Sequence, residues 1–398
     1  MSYLAAEKLK ILLLVSEMRF TRNITGLIIF LCFLSCKTDE KEKTEILPEA
    51  GTEIPVEHAK GFSIIDHGSY KILSVKNPWP NANITYRYLL AEEGSEIPEG
   101  LEYDQRVNVP VEKIVVTSTT HIPSLEILNE EETLIGFPGL NYISSEKTRK
   151  RINNGEITEL GQNEAINTEV LLNLQPDVVI GFSIDGSSKS LNTIQKSGIP
   201  VVFNADWTES SPLGKAEWIK FFGALYNKTS EANAFFETVE QDYLEAKALA
   251  ENSGDQPTVL SGAMYKDRWY LPYGDSWHAQ FIEDANAKYI YAETSGNGSM
   301  ALAFETVLEK AQDADFWMGP AQFQSYEEMR NTSSHYTRFK AFEKRNIYTY
   351  SSEKGETGGV IFYERAPVRP DLVLKDLISI FHPDLLPDYE TTFYKPLQ

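Results

Sequence analysis

The sequence predicts an α/β protein of two Rossmann-like lobes, each built on a mostly parallel sheet and joined by a single long spanning helix. Three observations carry that expectation. Short continuous apolar runs alternate with helical segments from Lys113 to Phe203, the pattern of a parallel sheet covered on both faces. The same alternation resumes after Thr258. Between the two lies Ser230–Glu251, where Ala232, Phe235, Phe236, Val239, Tyr243, Ala246 and Ala250 recur in threes and fours among acids and amides, which is one apolar stripe on a helix. Thr229 or Ser230 can cap its first turn, and Asn252-Ser253-Gly254 ends it. At 1.5 Å per residue it reaches about 30 Å, enough to cross a small domain.

Composition sets the bounds. The 398 residues suffice for two lobes with real cores, at 42% hydrophobic and 24% charged content. The net charge of −21 argues against nucleic acid and anionic membrane surfaces as partners, because both rely on many basic contacts. Both cysteines, Cys32 and Cys36, lie near the N-terminus, so the fold has no disulfide and no cysteine-ligated metal.

Residues 1–35 read as a secretion signal. Met18, Arg19 and Arg22 give a basic start, Leu27 to Leu31 an apolar core, and Phe33-Leu34-Ser35-Cys36 a cleavage site. The segment is too short for a durable membrane span, and its end resembles a bacterial lipobox that leaves Cys36 lipid-modified. Met18 is an alternative start, since Met1 to Glu17 carries its own apolar run at Ile11–Val15. Residues 1–35 contain four basic and two acidic side chains, so their removal takes the charge from −21 to −23. Residues 36–57 are polar and acidic, suited to a tether. Three apolar runs at Phe62, Tyr70 and Ile84 suggest that residues 58–110 form a β-hairpin extension.

Residues 111–229 form the first lobe, 230–252 the spanning helix and 253–398 the second lobe. In the first, strands at Lys113, Leu134, Asp177 and Pro200 alternate with helices Pro123–Glu130, Thr168–Leu174 and Ser187–Lys196, and Pro212–Tyr226 is a further helix. In the second, strands at Thr258, Tyr289, Ala314 and Ile347 alternate with helices Ser276–Ala285, Phe304–Ala311, His335–Lys344 and Pro370–Phe381.

No catalytic motif is present: no G-x-S-x-G, no H-E-x-x-H, no phosphate-cradling glycine loop. The six histidines are scattered singly and read as surface or capping residues. His121 stands out because it follows a strand's C-terminal edge, where open α/β sheets bind ligands. Aromatics gather at strand ends: Phe182, Trp207, Trp269, Tyr270, Tyr273 and Trp277. Such rings wall a pocket for a flat or greasy ligand, or else fill core between lobes. The basic run Lys147, Arg149, Lys150 and Arg151 is either an anion-attracting patch or, in the reading we favour, a solvated helix face.

Several spaced segments carry a resemblance to a known family. Asn167-Thr168-Glu169 followed by Leu174-Gln175-Pro176-Asp177-Val178-Val179-Ile180 looks like the N-x-E and L-x-P-D-L-V-I segments of bacterial ABC-transporter substrate-binding proteins of the cobalamin, ferric-siderophore and haem type. Gly274–Ala285, Phe304–Leu308 and Glu364–Leu372 resemble the same proteins. The resemblance covers roughly residues 110–385 and leaves out the hairpin extension and the tether.

It implies two rigid lobes on one spanning helix with little closure, no enzymatic activity, and no cofactor beyond a bound metal chelate. It also implies an ABC permease as partner, met by one glutamate from each lobe, and the matching positions are Glu169 and Glu305. Strand-end position and the family's layout together suggest Thr119, His121, Phe182, Trp207, Tyr265, Trp269, Trp277 and Tyr363 as ligand-binding residues. The chelate itself stays open among cobalamin, haem and ferric siderophores. Two other readings on the same plan are an envelope enzyme, which needs His121 to converge with Asp206 or Glu364, and a carrier of a bare transition metal, which needs several histidines or carboxylates on one ion.

Overall fold

A computed structural model describes residues 51–398 apart from residue 297. The signal segment, Cys36 and most of the tether lie outside the described residues. Those described all belong to one unit.

The chain enters through a five-stranded sheet, β1 (Thr52–Ile54), β2 (Phe62–Asp66), β3 (Tyr70–Lys76), β4 (Thr85–Ala91) and β5 (Gln105–Asn108), ordered as numbered. The first four run antiparallel and β5 lies parallel to β4. The extension is thus larger than a hairpin, and β1 falls within the stretch read as tether. Its inner face shares a core with the first lobe. Phe62 packs 4.6 Å from Trp218, and the Phe203 N–H donates to the Tyr88 hydroxyl across 3.0 Å.

The first lobe holds β6 (Ile114–Val116), β7 (Leu134–Phe137), β8 (Thr158–Glu159), the small hairpin β9 (Gly161–Gln162) and β10 (Ala165–Ile166), then β11 (Val178–Gly181) and β12 (Val201–Phe203). Apart from the hairpin these form one parallel sheet in the order β12-β11-β6-β7-β8. β6 and β11 are apolar throughout and fully buried, as strands covered on both faces must be. The stretch read as one helix from Pro212 is two, Pro212–Ala216 and Ile219–Leu225.

The second lobe contains β13 (Thr258–Ser261), β14 (Ala263–Tyr265), β15 (Arg268–Pro272), β16 (Lys288–Tyr289), β17 (Ser299–Ala303), β18 (Phe316–Met318), β19 (Ile347–Thr349) and β20 (Lys395–Pro396). Its main sheet, β16-β13-β18-β19-β20, is parallel except for the last pair. A second, antiparallel sheet β14-β15-β17 stands beside it. Gly262 makes the corner between β13 and β14 at φ +78°, where a Cβ would sit 1.9 Å from the Tyr270 carbonyl oxygen. Only glycine fits there.

One helix, Thr229–Ala250, links the lobes, and its 22 residues span about 33 Å. Its stripe divides between two cores. Ala232, Phe236 and Val239 belong to the core of the first lobe and extension, whereas Tyr243, Ala246 and Ala250 belong to that of the second. The Tyr243 hydroxyl donates to Asp284 across 2.5 Å, and Lys247 pairs with the same carboxylate at 2.8 Å. Neither Thr229 nor Ser230 caps the helix. Lys228 occupies the cap position without a side-chain bond, its ammonium drawn instead to the Leu128 carbonyl and Glu130.

The basic run at 147–151 lies on helix Glu146–Asn153 and is largely consumed by local structure. Arg149 donates to the Leu140 carbonyl and is buried. Arg151 donates to the carbonyls of Glu131 and Glu132, and Lys147 pairs with Glu131.

Candidate functional site

A cleft of about 1320 Å³ opens between the lobes. Four parts of the chain wall it: the β3–β4 loop of the extension, Ile184 after β11, the turn after β12, and strand ends, loops and helices of the second lobe. This is where open α/β sheets offer side chains to a ligand.

On the first lobe, β12 leads into a 3-10 turn, Asp206–Thr208, that presents Trp207 at 37% exposure. The turn is held from beneath. Buried Lys215 donates to the Asp206 carbonyl across 2.8 Å, and the Glu209 carboxylate accepts from the Lys60 and Gly61 N–H groups and the Trp218 indole. Glu209 thereby fastens the extension to the cleft floor. From the extension, Trp79 packs 5.6 Å from Phe203 and lies against Gly186, where a Cβ would come within 2.6 Å of its ring.

On the second lobe, Trp277 opens the helix Trp277–Asp284, capped by Ser276. The Lys215 ammonium lies 5.1 Å from its ring centroid, a cation–π contact. His278, at 4.5 Å from Trp277, also lines the cleft. Burial, with the Lys215 ammonium nearby, pushes its pKa down to about 4, so its imidazole is neutral near pH 7. Tyr350, just beyond β19, stacks on Phe362 at 4.3 Å and meets the Tyr363 hydroxyl at 3.4 Å. Burial raises the pKa of both Tyr350 and Tyr394, keeping these phenols protonated. The β14–β15 hairpin carries Tyr265 and Tyr270, both exposed.

Of the eight residues proposed from sequence, the structure brings four to the cleft wall: Trp207, Tyr265, Trp277 and Tyr363. It places the other four elsewhere. Trp269 is a core residue at 0% exposure, its indole donating to the Ser261 carbonyl and its ring 5.1 Å from Trp317. Strand alternation explains this, because on β15 Trp269 and Leu271 face inward while Tyr270 faces the cleft. His121 is turned inward by the 3-10 turn Thr119–His121 and packs 5.5 Å from Phe222. It is fully buried, neither ring nitrogen has a hydrogen-bond partner, and burial holds its pKa below the usual value against the nearby Asp206. Asp206 is buried as well, and neither residue lines the cleft. Thr119 sits half-buried where its turn packs on helix Ile361–Arg365 of the other lobe, and Phe182 is half-buried and does not line the cleft.

Sequence reasoning missed Trp79, Tyr350 and Tyr394 as cleft residues, and took His278 for a surface or capping group. Tyr350 had a usable signal in its place after an apolar strand. Trp79 had none, since its wall role depends on how the extension docks.

Beyond the cleft, the lobes meet at Glu364. This residue is 1% exposed, and its Oε2 accepts the Ser144 N–H across 2.7 Å from the other lobe. Among the described residues one group could hold a metal ion, Glu57, His58 and Glu240, with His58 Nε2 2.5 Å from Glu240. None of its members lines the cleft.

Comparison with known proteins agrees with this architecture. The family described as "Periplasmic binding protein" matches residues 114–353. An uncharacterized lipoprotein of Methanocaldococcus jannaschii is 28% identical over 72% of this chain and 69% of its own length. Among solved structures, a possible iron-binding, periplasmic solute-binding protein from Staphylococcus epidermidis superposes with a TM-score of 0.54 at 17% identity, covering 69% of this chain and 99% of that one. A periplasmic heme binding protein from Pseudomonas aeruginosa gives 0.54 at 15% identity, over 72% and 98%. With more than half of its length matched and the two lobes on one connecting helix in place, the chain belongs to the periplasmic binding protein family.

Proposed function

We propose that this protein is the lipid-anchored substrate-binding component of an ABC importer, which captures a metal chelate in the interlobe cleft and hands it to the permease without bond-making chemistry. The observation that carries this reading is the cleft itself, walled by rings from both lobes and from the extension. The likeness to a possible iron-binding protein and to a periplasmic heme binding protein supports a chelate as cargo. The lipoprotein name of the M. jannaschii relative supports an anchor at Cys36 in the cell envelope.

Docking to the permease falls to Glu169 and Glu305. Each is exposed, in the first turn of a helix on its own lobe. Neither carboxylate has an ion-pair or hydrogen-bond partner among the described residues. One carboxylate per lobe makes a two-point dock on a symmetric partner.

The decisive experiment mixes the purified mature domain with cobalamin, haem and a panel of ferric siderophores and records absorbance and native mass. A stable complex with one of them is expected. Binding of none, alongside tight binding of another solute, rejects the chelate reading.

A further inference from the structure

The charge of the cleft narrows the class of chelate, an inference that rests on the reading just given. Among the described residues, no lysine or arginine lines the cleft, whereas Glu209, Asp275 and Glu328 do. Glu209 is buried and spent on three donors from the protein. Asp275 and Glu328 are exposed on the second lobe, accepting backbone N–H groups of Gly296 and Gln324.

The cations beside the wall are already engaged by the protein: the Arg268 guanidinium, next to Tyr265 across the β14–β15 pair, donates to the Ala301 carbonyl. The Lys215 ammonium is buried on the Asp206 carbonyl behind Trp277. The Lys266 ammonium covers the ring of Tyr265 at the rim, 5.4 Å from its centroid. His278 is the one lining side chain able to become cationic, and it is neutral near pH 7. The whole chain carries a net charge of −21, and a concave site lined by one sign focuses the field of the whole molecule.

A carboxylate- or catecholate-bearing chelate entering here would surrender hydration without gaining a cationic partner, at a cost of several kcal/mol per buried charge. The polar groups that are present suit a different cargo. Asn77, Asn81, Asn83 and Gln322 offer neutral amides, and the tryptophans and tyrosines offer apolar faces and cation-attracting π surfaces.

We propose that the cleft selects a neutral or positively charged metal chelate, held by aromatic faces and amide hydrogen bonds, and discriminates against anionic chelates. Corrinoids and ferric hydroxamates fit this class. Haem, with its two propionates, and ferric tricatecholates do not.

Calorimetric titration of the mature protein with four probes tests it: neutral cyanocobalamin, a singly positive ferric trihydroxamate, a triply negative ferric tricatecholate, and haemin. The tighter of the first two is expected to exceed both anionic probes in affinity by at least about tenfold. Affinity for the positive probe should also fall as salt is raised. A tricatecholate or haemin complex as tight as or tighter than the others overturns the charge inference while leaving chelate capture intact. Failure of all four to bind overturns the inference, and tight binding of a solute that is not a chelate then overturns the chelate reading as well.

Discussion

Replacing Glu364 by glutamine removes one proton-binding site from the contact between the lobes, and the structure gives the size and sign of the effect. The carboxyl is almost wholly buried and its Oε1 lacks a hydrogen-bond partner. Burial, with Glu126 nearby, raises its pKa to about 7 from an ordinary 4.5, against the opposing pull of the Ser144 N–H. A carboxyl whose folded pKa is raised favours the folded state in its protonated form. That contribution is complete below pH 4.5 and is lost as pH climbs from there through about 7. The shift corresponds to about 3 kcal/mol withdrawn by pH 8.

Glu364→Gln keeps an acceptor for the Ser144 N–H and carries no proton, so the variant should lack this loss. Urea unfolding followed by tryptophan fluorescence at pH 5, 6, 7 and 8 is the assay. The variant's advantage over the parent should already be small but present at pH 5, grow steeply to about pH 7 and level off by pH 8 at about 3 kcal/mol. Parallel pH profiles for the two proteins would refute the reasoning.

Four other perturbations separate site from scaffold. Phe236→Ala opens a cavity where the spanning helix enters the first core and should cost about 3–5 kcal/mol in the same unfolding assay; unchanged stability would deny the helix that role. Tyr363→Ala should weaken binding of whichever chelate is captured by about tenfold with little change in stability, since the ring is 47% exposed on the wall. Trp269→Phe should do the reverse, lowering stability by about 1–2 kcal/mol through its lost hydrogen bond to Ser261 while sparing affinity; calorimetry of both variants checks the pair. Glu169→Lys combined with Glu305→Lys should abolish uptake in cells and leave ligand affinity untouched, and retained uptake would remove these residues from the docking surface.

The parallel sheets were legible because a strand covered on both faces is apolar at every position, as β6 and β11 are. The spanning helix was legible for the complementary reason, since a single stripe of period 3.6 survives even when its two ends serve different cores. What escaped depended on contacts distant in sequence. β5 reads Gln-Arg-Val-Asn and carries no apolar signature; it is a strand only because β4 lies beside it. Trp269 and Tyr270 are adjacent and chemically alike, and the register of β15 alone sends one to the core and the other to the cleft. His121 was aimed correctly along the chain, but a 3-10 turn rotated it inward. Trp79 joins the cleft because Gly186, more than a hundred positions later, leaves room for its ring.

The division of one helical stripe between two interiors also bears on how the chain acquires its structure. Until Phe236 and Val239 arrive, the core of the first lobe lacks part of its cover, and the second lobe builds on Tyr243, Ala246 and Ala250 of that same element. Neither half closes its interior without the shared segment, and fraying of the helix at either end loosens both. Assembly and melting of the two halves are therefore joint events, passing through a single transition where two separately cored domains would show two.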